Sequence, residues 1–242
     1  MKKLKVIIIG YGKMGKEIEA VALQQGHEII HKIDGRDDWK QLDLIQQADV
    51  AIDFSIPDIA MENMRRAMSL MLPLVIGTTG WYDHMDTIEE ETKLSNATVL
   101  WASNFSLGVN ILFHFNQKLA KVMHRFPEYR PHIHEIHHTQ KLDAPSGTAI
   151  SIANGIIGEY ENLDDWKLQE NKEIHPPHLV ISHERLGQVT GTHEISYSSD
   201  IDQISLRHEA KNRKGFAQGA VLAAEWLVGK KGFFNMKDVL GF

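Results

Sequence analysis

Between Glu135 and Ala149 the chain reads Glu-Ile-His-His-Thr-Gln-Lys-Leu-Asp-Ala-Pro-Ser-Gly-Thr-Ala, which brings two adjacent imidazoles, His137 and His138, close to an ammonium, Lys141. An imidazole can give or take a proton at neutral pH because its unperturbed pKa is about 6.5. A positioned ammonium can stabilise negative charge as it develops. Pro145 fixes its own φ and biases Ala144 away from the α region, so a sharp helix entry is expected near Ser146, Gly147 and Thr148. The first turn of a helix has N–H groups outside its own ladder and the positive end of the dipole, so it can hold an anion. Proton donor, cation and anion cradle together suit a small carboxylate substrate whose reaction develops negative charge.

The same stretch contains a rival pattern. His134-Glu135-Ile136-His137-His138 matches the H-E-x-x-H arrangement of zinc proteases, which needs a helix to bring both histidines to one face. In a strand, His132, His134 and His138 would face one way, and Glu135 and His137 the other. Ile133 and Ile136 favour a strand only weakly, so local propensity leaves both open.

These residues need a scaffold, and the first half of the chain alternates between strand and helix patterns. Lys3–Ile9 reads as a strand buried on both faces, as in a parallel sheet. Gly10-Tyr11-Gly12-Lys13-Met14-Gly15 follows at once and leads into a helical run to Gln25. Gly10 allows the tight turn, Gly12 lets backbone approach a pyrophosphate, and Gly15 permits close helix–strand packing. A second strand, Glu28–Ile33, ends at Asp34, where an acidic residue accepts hydrogen bonds from an adenosine ribose. This pattern predicts a dinucleotide site. Strands at Ala48–Phe54, Pro73–Ile76 and Ala97–Trp101 follow, with a helix from Pro57 to about Leu70. Ligands sit beyond the carboxyl ends of such strands, so Gly77, Thr78 and Thr79 and the loop Ala102, Ser103, Asn104 and Phe105 are candidates for the nicotinamide half.

A long helix, Gly108–His124, leads into a second domain, with a strand before His137 and a helix near 146–158. The polar stretch Glu159–His175 looks like a surface excursion. Strand-like runs at His178–Arg185, Gly191–Ser198 and Gln203–Glu209 lack intervening helices, which implies an antiparallel or mixed sheet. An apolar helix, Phe216–Val228, and a short tail close the chain. The expected fold is α/β: a Rossmann-like doubly wound parallel sheet domain over residues 1–109, plus a second α+β domain with a mixed or antiparallel sheet over 110–213.

Composition excludes several classes. The 242 residues contain no Cys, so there is no disulfide and no thioester-forming dehydrogenase nucleophile. A net charge of −6 argues against nucleic acid as a partner. The apolar runs are too short for a membrane span, and no signal peptide is apparent after Met1, so cytoplasm is expected.

The whole chain resembles the 4-hydroxy-tetrahydrodipicolinate reductase family, also called dihydrodipicolinate reductases. The resemblance is carried by His137–Ala149, Gly77-Thr-Thr-Gly80, Ser103–Asn110, Arg213 with Phe216, and Asn235–Leu240. It implies an oxidoreductase using NADH and/or NADPH to reduce a cyclic unsaturated imine dicarboxylate, 4-hydroxy-tetrahydrodipicolinate, in diaminopimelate and lysine biosynthesis. It also implies His137 as acid/base residue, Lys141 as proton donor or charge stabiliser, and His138, Ser146, Gly147 and Thr148 as substrate-binding residues. The glycine loop, Asp34, Gly77–Thr79 and Ala102–Phe105 would hold the cofactor, and no metal is implied. Residues 214–242 would complete the first domain, and residues 110–213 would bind substrate and form a homotetramer through their sheet. Two departures stand out: the glycine loop is G-x-G-x-x-G where the family usually has G-x-x-G-x-x-G, and Gly35 separates Asp34 from Arg36. The alternatives are a nicotinamide enzyme of the aspartate dehydrogenase type, which would not need the Asp143–Ala149 turn, and a non-catalytic NAD(H)-sensing protein.

Overall fold

Val6, Ile7, Ile8 and Ile9 are all buried, and their side chains alternate between opposite faces, so the strand they form must be covered on both sides. The computed structural model, which describes residues 2–169 and 177–242, meets that requirement with helices. In chain order the elements are β1 (Lys5–Ile9), α1 (Lys13–Gln24), β2 (Glu28–Ile33), α2 (Leu42–Ile45), β3 (Val50–Asp53), α3 (Pro57–Ser69), β4 (Leu74–Ile76), α4 (Met85–Leu94) and β5 (Thr98–Trp101). Next come α5 (Leu107–Met123), β6 (Arg130–His137), α6 (Gly147–Ile157), β7 (Asp165–Leu168), β8 (His178–Arg185), β9 (Gly191–Ser198) and β10 (Gln203–Ala210). The chain ends with α7 (Lys214–Leu227), β11 (Gly232–Asn235) and α8 (Met236–Leu240). These elements form two compact units, Met1–Leu107 with Arg213–Phe242, and Gly108–Asn212.

In the first unit six strands run parallel in the order β11-β5-β4-β3-β1-β2. Val6 and Ile8 pack with Ile18 of α1 and Ala220 and Val221 of α7. Ile7 and Ile9 pack on the other face with Met64 of α3 and Ile88 of α4. The chain leaves β1 on one side for β2 and returns on the other for β3. That reversal makes the crevice beyond β1 and β3 the expected ligand position of a doubly wound sheet.

The second unit has a mixed sheet in the order β10-β9-β6-β8-β7, with β6 parallel to β8 and antiparallel to β9. Ile133, Ile181, Ile195 and Tyr197 line one face, covered by Ile152 and Ile156 of α6 and Leu112 of α5. Among the described residues no helix is long and apolar enough to cross a membrane.

Four segments differ from the expectation, the smallest being α2, a single helical turn over Leu42–Ile45. Within 159–175 the structure has a strand, β7, paired in parallel with β8, while 170–176 lie outside the described residues. The tail is structured: β11 adds to the first sheet beside β5, and α8 follows under an Asn235 cap that accepts from the Lys237 amide at 2.8 Å. α4 is an additional helix, with only Ile88 and Thr92 buried, so its apolar stripe is too thin to read as a period.

Candidate active site

The glycine loop sits at the end of β1, and its steric requirements are explicit. Gly10 has φ +82°, and a Cβ there would lie 2.5 Å from the Phe54 carbonyl oxygen. A Cβ on Gly15 would lie 2.3 Å from the Gly10 oxygen, so the close α1 approach needs glycine. Gly12, by contrast, has nothing within 4 Å of that position, which leaves its backbone open to a ligand. A cavity of about 500 Å³ brings Gly10, Tyr11, Gly12, Asp34, Gly35 and Arg36 together. Asp34 accepts the Tyr11 amide at 3.0 Å, tying the glycine loop to the end of β2. Nearby cations are already paired, Lys32 with Glu19 at 2.8 Å and Arg36 with Glu62 at 3.5 Å.

A second cavity, of about 200 Å³, joins Met14, Gly77, Ser103, Asn104 and Phe105 with Arg213. Thr78 lies below this surface, its hydroxyl donating to Asp53 at 2.9 Å, whereas Lys13 and Thr79 are exposed and Ala102 is buried. Asp53 also accepts the Ser55 amide at 2.8 Å and the Asn63 amide group at 2.9 Å. Burial pushes its carboxyl up, and these neutral donors offset that only in part. A hollow at the switch point, a glycine amide open to donate to a phosphate and a carboxylate at the end of β2 to accept from a ribose are the features a dinucleotide requires.

In the second unit His134 to His137 lie on β6, so the helix that the zinc-protease pattern requires is absent there. Strand alternation sends Glu135 and His137 inward, where both are buried, and leaves His132, His134 and His138 only half-buried. Glu135 is 0 % exposed. Its carboxylate accepts the Ser146 amide at 3.0 Å and the Arg185 guanidinium at 3.3 Å. The same carboxylate lies 3.7 Å from His137 Nδ1 and 3.8 Å from His193 Nε2, and the two rings meet edge to face at 5.1 Å. Glu135, His137 and His193 thus bring donor atoms within 4.8 Å of one another.

The turn after β6 is clamped from β8. Arg185 donates to the Lys141 carbonyl at 3.3 Å and the Asp143 carbonyl at 2.7 Å. Lys141 reaches the Asp143 carboxylate at 2.7 Å, and that contact holds the Asp143 carboxyl below its ordinary value. Ser146 is the N-cap of α6: its hydroxyl accepts the Ala149 amide at 3.2 Å and meets His193 Nε2 at 3.0 Å. Ser146 is buried, Gly147 is exposed with open space where a Cβ would stand, and Thr148 is half-buried.

Electrostatics differ sharply among these groups. Burial alone would raise the Glu135 carboxyl, but Ser146 and the two imidazoles outweigh it and hold it below the usual range. Burial lowers His137, Glu135 opposes that, and Lys141 and Arg185 add to the lowering. His193 is pushed down to about 4, by burial first and then by His137. One buried carboxylate therefore serves two imidazoles, both of which burial drives toward the neutral form, His193 the more strongly.

That arrangement is built on the segment from Glu135 to Ala149, and both halves of the chain match one family. Residues 4–105 match the model for the N-terminus of dihydrodipicolinate reductase, and residues 108–240 match the model for its C-terminus. The chain belongs to the dihydrodipicolinate reductase family. It is 45 % identical to the 4-hydroxy-tetrahydrodipicolinate reductase of Christiangramia forsetii, over 98 % of each chain. It is 33 % identical to the same enzyme of Pelagibacter ubique over the full length of both. A solved structure, dipicolinate-bound dihydrodipicolinate reductase from Paenisporosarcina sp. TG-14, shares the fold with a TM-score of 0.77 at 22 % identity, covering 97 % of this chain and 98 % of that one. Like its family, the chain is an NAD(P)H-dependent oxidoreductase, and these relatives do not favour the aspartate dehydrogenase or sensor alternatives.

Several residues around this candidate site had no motif to announce them. Sheet register supplies them: His137 pairs with Arg185 across β6 and β8, and Glu135 pairs with His193 across β6 and β9. Glu135 alone had a local signal, its place two residues before His137 on the same strand face.

Proposed function

We propose that this reductase converts 4-hydroxy-tetrahydrodipicolinate to tetrahydrodipicolinate, with the first unit, Met1–Leu107 and Arg213–Phe242, holding the nicotinamide cofactor and the second, Gly108–Asn212, holding the substrate. The observation that carries the reading is the second-unit cluster, in which a buried imidazole, an ammonium and a helix N-terminus converge on one turn. Bound NAD(P)H supplies the hydride. His137 gives the proton that the reduced substrate needs, and Lys141 stabilises charge on the dicarboxylate. The Lys141–Asp143 contact is largely solvent-exposed on the Asp143 side, 64 %, so a substrate carboxylate can compete for the ammonium at little cost.

His138 and the N-terminal amides of α6 at Gly147 and Thr148 hold substrate carboxylate, with Ser146 shaping that end as its cap. Dipicolinate bound to the Paenisporosarcina enzyme is an aromatic dicarboxylate, the class of ligand this cradle suits. Gly10–Gly15, Asp34, Gly77–Thr79 and Ala102–Phe105 hold the cofactor, and the Asp34 carboxylate, which would repel a 2′-phosphate, lets NADH serve at least as well as NADPH. The enzyme acts in the cytoplasm as a homotetramer assembled through the second sheet. Its open face, with His134 of β6, Glu194 of β9 and Arg207 of β10, is polar and partly exposed.

No metal enters this reading. Glu135, His137 and His193 have donor spacing, but the Arg185 guanidinium already shares the Glu135 carboxylate and would repel a resident cation. The test is a coupled assay in which dihydrodipicolinate synthase product is added to the enzyme and nicotinamide absorbance is followed. Consumption of NADH, unchanged after chelator treatment, is expected. NADH binding without turnover would overturn the reading.

A further inference from the structure

His137 carries an unusual burden for a proton donor: its Nδ1 is buried and has no hydrogen-bond partner. The groups facing it come from every element packed around it. Glu135 lies on its own strand, Lys141 and Asp143 on the following turn, Arg185 on β8 and His193 on β9. Three of these, Lys141, Arg185 and His193, disfavour a positive charge on the ring or cannot balance it. Asp143 is held by Lys141 at 2.7 Å, which leaves Glu135 as the counter-charge.

Glu135 is also the best-anchored of the set. Arg185 fixes one carboxylate oxygen, and the amide of Ser146 fixes the other, the oxygen that lies 3.7 Å from His137 Nδ1. Its second imidazole neighbour is engaged elsewhere, since His193 Nε2 meets the Ser146 hydroxyl at 3.0 Å. At the opposite end of the His137 ring, Nε2 faces Gly191, where a Cβ would stand only 3.1 Å away. The ring is thus enclosed at Nδ1 by a carboxylate and left uncovered by side chain at Nε2.

From this geometry we infer that Glu135 is a positioning residue for proton transfer: it draws the Nδ1–H of His137, fixes the ring's orientation, and makes Nε2–H the proton given to substrate. The inference rests on the reading of His137 as the donor. The imidazolium releases its Nε2 proton to the reduced substrate and becomes neutral imidazole, keeping Nδ1–H toward Glu135. Solvent then returns the proton. Because Glu135 also accepts the amide of the α6 cap, one carboxylate aligns the donor and the anion cradle in the same frame.

The experiment uses the full-length enzyme and the variants Glu135→Gln, Glu135→Asp and His137→Gln. It measures kcat and KM against pH, and follows the ring nitrogens of His137 by NMR without substrate. A donor must be protonated, so kcat falls as pH rises through its pKa. Removing the Glu135 charge should move that descending limb to lower pH by about one pH unit or more, as expected for loss of an opposite charge within a few ångströms. At neutral pH kcat should fall about tenfold, with KM changed less. Glu135→Asp keeps the charge, so its limb should stay near the wild-type position, and it provides the reading if the glutamine variant does not fold. A wild-type limb and a wild-type His137 titration in Glu135→Gln would overturn the inference. Near wild-type kcat in His137→Gln would instead overturn the donor assignment, and the NMR titration would still decide whether Glu135 sets the ring's proton affinity.

Discussion

Among the described residues each unit of this reductase buries one carboxylate completely, and the two are treated in opposite ways. Asp53, at the end of β3, is surrounded by neutral donors from Ser55, Thr78 and Asn63. Glu135, on β6, has the Ser146 amide, a guanidinium and two imidazoles. Both acids are well supplied with hydrogen bonds, so donor number does not separate them. The balance with burial does: desolvation prevails at Asp53, whose carboxyl is raised, whereas the Ser146 hydrogen bonds, followed by the charges of His137 and His193, prevail at Glu135, whose carboxyl is lowered. Asp53 therefore works as a tie between the end of β3 and the Gly77–Thr79 loop, whereas Glu135 serves as a charge.

The largest expected effect comes from removing the charge that others depend on. Glu135→Ala strands the Arg185 guanidinium and the Ser146 amide and should cost about 3–5 kcal/mol, the usual penalty for breaking a buried ion pair. Chemical denaturation at neutral pH measures it, and a loss no greater than that of an ordinary surface substitution would erase the contrast with Asp53.

Catalysis should follow the same boundary. His137→Gln should lower kcat by about 10²-fold with KM less affected, whereas Lys141→Ala should damage both parameters. The double variant should lose less than the sum of the two, because the residues act as a unit. Steady-state kinetics on the three variants, with circular dichroism as a check on folding, provides the comparison.

Asp53→Ala should cost less than Glu135→Ala, about 1–3 kcal/mol for donors left without an acceptor. Its pH dependence should also have the opposite sign. The raised folded value of Asp53 means that stability declines as pH rises from the unfolded value of 3.8 through the folded one. The lowered value of Glu135 means that its contribution is full above 4.5 and is lost as pH falls through the folded value. Denaturation curves of the two variants across acid pH should therefore diverge from wild type in opposite directions, and parallel curves would show that the surroundings do not distinguish the two acids.

Asp34 extends the comparison to an exposed carboxylate, which the proposed cofactor site assigns to the ribose. Asp34→Ala should weaken NADH by about tenfold, the worth of a charge-assisted hydrogen bond, and NADPH less. Dissociation constants for both cofactors test this, and equal losses would show that Asp34 does not read the ribose.

The sequence disclosed the first unit more fully than the second because a parallel sheet repeats local patterns. Strand, glycine loop, helix and acidic strand end are consecutive from Lys5 to Asp34, and each step has its own composition rule. The cluster around Glu135 obeys no local rule. Arg185 and His193 arrive through strand register, which is a long-range property, and the inward face of β6 emerged only as one of two open alternatives. β11 and β7 escaped notice for a simpler reason, since their residues are exposed or half-buried, unlike the equally short but buried apolar runs of β3, β4 and β5.

The first unit is discontinuous in the chain, and time enters through that fact. β1 to β5 are made first, yet Ala217, Ala220, Val221, Ala224 and Leu227, which cover one face of their sheet, belong to α7, and the strand beside β5 is β11. Until residues 213–242 leave the ribosome, Val6, Ile8, Val50, Ile52 and Leu100 lack that cover, and β5 presents an unpaired edge. The inserted unit, Gly108–Asn212, is encoded without interruption and can fold while the older unit waits. Translation that stops short of Arg213 would thus release a chain with a finished insert and an unfinished host, a natural substrate for chaperones and proteases.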